Sequence, residues 1–505
     1  MTAPSAPARR RGDCVLLSQL TENLQTASCA GSDVEIGGLA FDSRAVAPGD
    51  LFFALRGTAV DGHRFVRDAV AAGAAAVVVE EAVAGLEVPT VVVRDTAKAL
   101  AGAAARWHGE PANRLVLCGI TGTNGKSSTA HMLRAMLDAS ALGKAGIIGT
   151  LGHGTDALVR TAHTTPDAVT LHRLFRAMAD DGCYGVVMEV SSHAVRQHRV
   201  WGLDFEVGIL TNVTHDHLDF HRSLEAYRDA KADFCRALAD PGRRKPQGTL
   251  VYWRDDPVAR EIGESLAGKK VSVGTTPAAD VHTSAVESTL SGTRFTLHLR
   301  SGGEVAVAMK LLGSFVAVNA ALAAAAAEAL GVEAGAIAAA LASLERVPGR
   351  FEALGGDPRP TVVVDYAHTP DAVEQVLATC RGLGARRLLV VFGCGGNRDR
   401  TKRPLMGRVA AAMSDACFVT TDNPRREPVQ RIVADILAGV ADPSRVRVEL
   451  DRSRAIREAI AAARRGDVVV LLGKGHEDYQ IIGEEKLPFS DRREAEGALQ
   501  AWSAR

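Results

Sequence analysis

At 505 residues the chain is too long for a single hydrophobic core, and size alone predicts two to four domains. Apolar residues at 47% and charged residues at 23% exclude a largely disordered chain. Equal totals of 59 basic and 59 acidic residues exclude the overall basic field that drives non-specific nucleic-acid binding, and eight scattered cysteines without a C-x-x-C pair fit a reduced, cytoplasmic protein.

In chain order, residues 1–12 are polar and aperiodic and read as a loose tail. Arg9, Arg10 and Arg11 are followed only by Val15, Leu16 and Leu17, too short an apolar run for a signal peptide. Residues 13–113 form a first small α/β domain, with a helix over 65–72 and strands over 76–79 and 90–93. A central domain, 114–347, opens with a strand (LVLCGI), a glycine-rich turn and a helix over 126–142. Strands follow over 185–190 and 205–211, then an amphipathic helix over 223–238 and an antiparallel stretch over 271–309. An alanine-rich helical pair over 318–330 and 335–344 closes the domain; its apolar run is bounded by Asn319 and Glu328 and reads as a soluble helix. After Pro348 and Gly349, residues 348–505 show four apolar strands, 361–364, 387–392, 416–420 and 468–472, separated by helices. That pattern predicts a parallel, Rossmann-like sheet in a three-domain α/β protein.

The sharpest local signal is GITGTNGKSS, residues 119–128. A phosphate needs converging backbone N–H groups, a helix N-terminus and one positioned ammonium; Gly122 and Gly125 allow the wrap, Lys126 supplies the charge and Ser127 offers a hydroxyl to Mg²⁺. Ile120 stands where the strict Walker spacing wants glycine, so the loop is a variant. TGTNGK followed by serine resembles the loop of the Mur ligases and their folylpolyglutamate synthetase relatives, which make amides through an acyl phosphate. The resemblance implies a P-loop ATPase-like central domain with Gly122, Thr123, Asn124, Gly125, Lys126, Ser127 and Ser128 around ATP.

Glu189 closes a predicted strand, a costly place for an unpaired carboxylate and a suitable one for a metal ligand; EVSSH also resembles a magnesium-binding motif of the family. THDHLDFH, residues 214–221, is dense in metal ligands. It nearly spells the signature of binuclear zinc hydrolases, but Phe220 breaks the pattern, and the likeness to the family motif DHLD makes His217 a second magnesium ligand. Lys231 would by itself be placed on a solvated helix face; only the resemblance singles it out, as a lysine whose carbamylated form stands beside the second of two Mg²⁺ ions. By the same likeness Asn319 contacts adenine and Arg350 reaches the ATP phosphates, whereas Val316 replaces an asparagine of the family segment.

Four motifs follow the four strands of the last domain: DYAHTPD, GCGGNRDRTKRP, DNPR and GKGHEDYQ. Ligands bind at the carboxyl ends of strands in open α/β sheets, so the four loops should meet in one cleft. HEDYQ lacks the second histidine of a zincin. The resemblance carries Asp365 and His368 toward ATP. It carries Arg398, Asp422, Asn423, Pro424, Arg425, Gly473 and Glu477 toward the incoming amino acid. Arg425 suits a distal carboxylate and Glu477 a distal ammonium, which favours diaminopimelate over lysine without separating its meso and LL forms.

In the first domain FDSRAVAPGDLFFALRGTAVDGHRF resembles the family segment that grips a UDP-muramoyl group. This implies roles for Ser43, Thr58, Ala59 and Val60, joined by Thr164, Thr165, Ser191, Gln197 and Arg199 further on; His163 replaces a family asparagine. The implied reaction attaches diaminopimelate to the D-glutamyl γ-carboxylate of UDP-N-acetylmuramoyl-L-alanyl-D-glutamate, with Lys126, Glu189, His217 and Lys231 as catalytic residues in a monomer using only small-molecule partners. Three alternatives stay open: a lysine-adding or cyanophycin-type ligase, a binuclear metallohydrolase built on residues 215–221, and a nucleotide-binding scaffold without synthesis.

Overall fold

The computed structural model describes residues 14–22, 24, 26–57, 60–160, 163–214, 218–221 and 223–503. The expected tail and the site candidates Thr58, Ala59 and His217 lie outside them. Two compact units emerge, one formed by residues 1–119, 144–206 and 236–248, the other by 120–143, 207–235 and 249–505.

In the first unit, strands Gly38–Ala40, Asp50–Phe53, Ala76–Val79 and Thr90–Val93 run parallel, and Thr26–Ala30 joins the last of them antiparallel. The β-branched runs at 76–79 and 90–93 are where the sequence places them. Both faces of these strands are covered: Leu51, Phe53, Ala76 and Val78 enter one core, whereas Phe52, Val77 and Val79 enter the other. That double burial is why the runs are continuously apolar rather than alternating. Helix Thr96–Trp107 starts where the Asp95 carboxylate accepts from the N–H groups of Ala97 and Lys98, each at 3.0 Å. The same unit carries the strands Ala145–Gly149 and Gly185–Glu189 in parallel pairing, followed by helix Ser192–Arg196, whose N-cap is Ser191.

The second unit contains a sheet run of Val207–Leu210, Thr249–Trp253, Lys269–Gly274 and Val281–Thr289 in parallel pairing, continued antiparallel by Gly292–His298 and Glu304–Met309. The antiparallel expectation for 271–309 thus holds for the two hairpins and fails at Val273 and Val281, which pair in parallel. The helix predicted over 126–142 stops at Asp138, because Ser140, Gly143 and their neighbours form a turn rather than continuing the apolar face. Helix Phe315–Ala329 packs against Lys126–Asp138 with its run 320–327 almost wholly buried. Alanine at seven of those eight positions, all but Leu322, allows close approach on most sides. Among the described residues no helix is long and apolar enough to cross a membrane.

The remaining sheet orders its strands as Glu352–Gly355, Thr361–Asp365, Val468–Leu472, Leu388–Phe392, Ala416–Val419 and Val446–Val448. The four predicted strands are parallel, as expected, and the two unpredicted ones are the short edges. Buried helices cover both faces. The Asp365, Gly393, Asp422 and Gly473 motifs therefore leave the sheet at one edge, the carboxyl ends of its central strands.

Candidate active site

Strand Val116–Thr121 and helix Lys126–Asp138 are joined by residues 122–125. Gly122 has φ +144°, and a Cβ there would run into Thr211 Oγ1, so no other residue fits. Thr123 N donates to Asn212 O at 2.9 Å and Asn124 N to Asn212 Oδ1 at 2.8 Å, which fixes the loop against the end of the next strand. Lys126 Nζ folds back to donate to the carbonyls of Gly122 (2.9 Å) and Thr123 (2.8 Å). An anion at this helix N-terminus would compete with those carbonyls for the ammonium.

A cavity of about 950 Å³ opens beside the loop, lined by Asn124, Gly125, Ser128, Asn319, Arg350 and Asp365 among others. Four of its lining residues carry a buried polar atom, Thr214 Oγ1, Trp253 Nε1, Thr283 Oγ1 and Arg350 Nε, that among the described residues has no hydrogen-bond partner. The cavity is of a size that holds a nucleotide. Arg350 Nη2 donates to Ser127 Oγ at 3.2 Å, and its guanidinium lies 4.9 Å from the Tyr366 ring. The Asp365 carboxylate accepts from Phe351 N and Ala367 N, both at 2.7 Å; burial pushes its pKa up although Arg350 pulls the other way. His368 turns its Nδ1 to the Tyr366 carbonyl at 2.8 Å.

Lys231 contradicts the expectation of a solvated face. It is 1% exposed, with Nζ 4.3 Å from the Tyr227 ring one helical turn earlier. The Tyr227 hydroxyl lies 3.0 Å from Thr123 Oγ1, so this helix backs the phosphate loop. Of the 215–221 cluster, His221 is buried beside Tyr227, while residues 215–217 lie outside the described residues. Among the described residues no group of three His, Cys, Asp or Glu is placed to hold a metal.

The loops that begin at Gly393, Asp422 and Gly473 meet at the carboxyl ends of their strands. Glu477 Oε2 accepts from Asn423 Nδ2 at 2.8 Å and from Lys474 Nζ at 3.0 Å. Arg425, left-handed at φ +54° and half-buried, donates from Nη1 to Gly396 O at 2.9 Å and to Asn423 O at 3.4 Å. Burial first, and then the charge of Arg398, hold its guanidinium pKa below the usual arginine value, against the pull of Asp422 and Glu477. Two neighbouring guanidiniums, one of them desolvated, make a place for a carboxylate. Gly473, at φ +106°, brings the chain so close to Asp422 that a Cβ would stand 2.6 Å from its Oδ2. Tyr366 joins this cleft to the nucleotide cavity: burial first, then Glu477 and Asp422, push its phenol up to about 12, while Arg350 opposes them.

Sequence reasoning missed the side chains that hold these loops. Arg403, fully buried, donates to both Glu427 oxygens (2.8 Å each), to Asp435 (2.9 Å) and to Gly395 O (3.2 Å); Glu427 also accepts from Asn397 N at 2.9 Å. It thereby ties the residues after DNPR to the GCGGNRD loop. Arg403→Met leaves two carboxylates without their buried partner and is expected to cost about 3 kcal/mol or more of unfolding free energy near neutral pH. The hydrogen bonds of Arg403 first of all lower the Glu427 carboxyl from 4.5 to about 2. That depressed value makes the contribution of Glu427 complete above the usual glutamate range and progressively lost as pH falls toward 2. Urea unfolding should therefore show a stability gap between wild type and variant that narrows between about pH 6 and about pH 3.

In the first unit, Glu189 ends its strand as predicted and is 2% exposed; its Oε1 accepts from Thr150 N (2.9 Å) and its Oε2 from Thr150 Oγ1 (3.0 Å). Thr150 Oγ1 lies 3.1 Å from Thr164 Oγ1. Thr165 Oγ1 donates to Glu189 O at 2.8 Å and accepts from Ser191 N at 3.0 Å. Arg199 donates to Thr165 O and to Gln197 Oε1, each at 2.6 Å. One polar network thus contains seven residues drawn from three separate stretches of sequence. Among the described residues no hydrogen bond joins it to Ser43 or to Val60, which is 47% exposed.

The profile of the Mur ligase family catalytic domain matches residues 35–108, that of the Mur ligase middle domain 120–327, and that of the Mur ligase glutamate ligase domain 349–475. The UDP-N-acetylmuramoyl-L-alanyl-D-glutamate--2,6-diaminopimelate ligase of Geobacillus kaustophilus (strain HTA426) is 43% identical over 472 residues, which are 93% of this chain and 96% of that one. The protein of the same description from Gloeobacter violaceus (strain ATCC 29082 / PCC 7421) is 45% identical over 474 residues, 92% of this chain and 94% of that one. A solved structure of a UDP-N-acetylmuramoyl-L-alanyl-D-glutamate--2,6-diaminopimelate ligase superposes with a TM-score of 0.68 at 32% identity, covering 97% of this chain and 99% of that one. With three stretches matched and relatives aligned along almost its whole length, the chain belongs to the Mur ligase family.

Proposed function

We propose that this Mur ligase joins the amine of diaminopimelate to the D-glutamyl γ-carboxylate of UDP-N-acetylmuramoyl-L-alanyl-D-glutamate, with cleavage of ATP to ADP and phosphate, as a cytoplasmic step of peptidoglycan synthesis. The names of the near-full-length relatives support the substrates. The observation that carries the chemistry is the position of Arg350, which touches Ser127 on one side and Tyr366 on the other, so that a nucleotide cavity and a dicarboxylate cleft share a wall. The substrate carboxylate attacks the γ-phosphorus of ATP to give an acyl phosphate, and the amine then displaces phosphate. Lys126, released from the Gly122 and Thr123 carbonyls, and Arg350 stabilise the charge that develops on the transferred group.

Two Mg²⁺ ions would when bound neutralise phosphate charge; the family likeness proposes Ser127, His217 and a carbamate on Lys231 as ligands and, separately, the buried carboxylate of Glu189. The carbamate on Lys231 is proposed on the family likeness of its helix, which backs the glycine-rich loop through the Tyr227–Thr123 contact. Thr164, Thr165, Ser191, Gln197 and Arg199, with Ser43 and residues 58–60, bind the nucleotide-sugar peptide. The matched stretches support domains at 13–113, 114–347 and 348–505, and the enzyme works as a monomer.

Phosphate release in the presence of ATP, UDP-muramoyl dipeptide and diaminopimelate is expected to fall more than about tenfold when either the acceptor or the amine is omitted. Release that ignores both omissions would leave only a nucleotide-hydrolysing scaffold.

A further inference from the structure

Lys474 has no exposed surface, yet it lies within the cleft assigned above to diaminopimelate. Its Nζ bonds Glu477 Oε2 at 3.0 Å and Asn423 Oδ1 at 3.1 Å. Asn423 Oδ1 also accepts from Ile481 N at 3.0 Å, so the amide orientation is determined: two donors meet its oxygen, and its nitrogen donates to Glu477. Asn423 in turn offers its carbonyl to Arg425. One buried ammonium is thus joined directly to the carboxylate suited to a distal ammonium, and through one asparagine to the guanidinium suited to a distal carboxylate.

The two bonds on Glu477 fall on the same oxygen. Among the described residues Oε1 meets only the Tyr479 hydroxyl, at 3.5 Å, which leaves it turned to an incoming donor. On Arg425 the tethered atom is Nη1, and among the described residues Nε and Nη2 make no hydrogen bond. The Lys474 ammonium also changes the charge of the cleft. Arg398, Arg425 and Lys474 against Asp422 and Glu477 leave one positive charge in excess, which suits a distal group carrying both ammonium and carboxylate and opposes one carrying ammonium alone.

We propose that Lys474 is a positioning residue that sets amino-acid specificity, by fixing Glu477 and Asn423 and by making the cleft cationic enough to reject lysine. This rests on the ligase reading, and the test separates the two. Wild type, Lys474→Met and Lys474→Gln are assayed with ATP, UDP-muramoyl dipeptide and either diaminopimelate or lysine; glutamine keeps a donor and removes only the charge. For Lys474→Met, kcat/KM for diaminopimelate should fall about 100-fold, mostly through KM, with the KM for ATP nearly unchanged. The value for lysine should hold or rise, so that discrimination collapses; Lys474→Gln should show the same direction to a smaller extent. Equal losses for both amino acids, or two variants that do not fold, would overturn the proposal. A wild-type enzyme that joins neither amino acid would instead overturn the ligase reading.

Discussion

Lys126→Ala is expected to lower turnover by roughly three orders of magnitude, with a much smaller effect on the KM for diaminopimelate. In the structure this ammonium is held by two carbonyls of its own loop, at 2.8 and 2.9 Å, so it is positioned before any phosphate arrives. Charge grows on the transferred phosphoryl group as the reaction proceeds, and a cation at the helix N-terminus meets that growth more than it meets the ground state. Its loss should therefore appear in kcat rather than in binding. Initial rates of ADP formation with all three substrates saturating give the answer, and a kcat within about threefold of wild type would remove Lys126 from the chemistry.

Arg425→Ala should raise the KM for diaminopimelate about 100-fold while leaving that for ATP almost unchanged. The guanidinium is half-buried, is disfavoured by burial and by Arg398, and has one edge tied to Gly396 and Asn423. A carboxylate docking on the open edge would regain the lost solvation and offset the repulsion. Lysine lacks that carboxylate, so any turnover of it should change little, and the ratio of the two kcat/KM values reads the difference directly. Equal losses for both amino acids would mean that Arg425 shapes the loop rather than recognising the substrate.

Much of the fold was legible because its strands obey a simple rule. Runs such as 76–79 and 468–472 are buried on both faces, hence continuously apolar, and they lie where the pattern puts them. The edge strands Glu352–Gly355 and Val446–Val448 escaped because exposed positions dilute their apolar character. At the site, glycine-punctuated loops at strand ends announced the phosphate loop and the four motifs of the last sheet. The side chains that hold those loops were not announced. Arg403 sits in the first turn of a helix and reads as a surface charge until Glu427, distant in sequence, is seen against it. Lys231 misled for the same reason: burial of a long cation is decided by tertiary packing, not by its place on an amphipathic helix. Lys474 carried a usable signal, a lysine between two glycines at the carboxyl end of a central strand, where little room exists for a solvated side chain.

If the cavity beside Arg350 takes the nucleotide and the cleft beyond Tyr366 the dicarboxylate, as proposed, there is one direct consequence, which the mass of the product reports. Incubation with ATP, UDP-N-acetylmuramoyl-L-alanyl-D-glutamate and an equimolar mixture of diaminopimelate and lysine should yield a muramoyl tripeptide heavier by the diaminopimelyl residue. Exclusive incorporation of lysine, or consumption of ATP with no new amide, would contradict it.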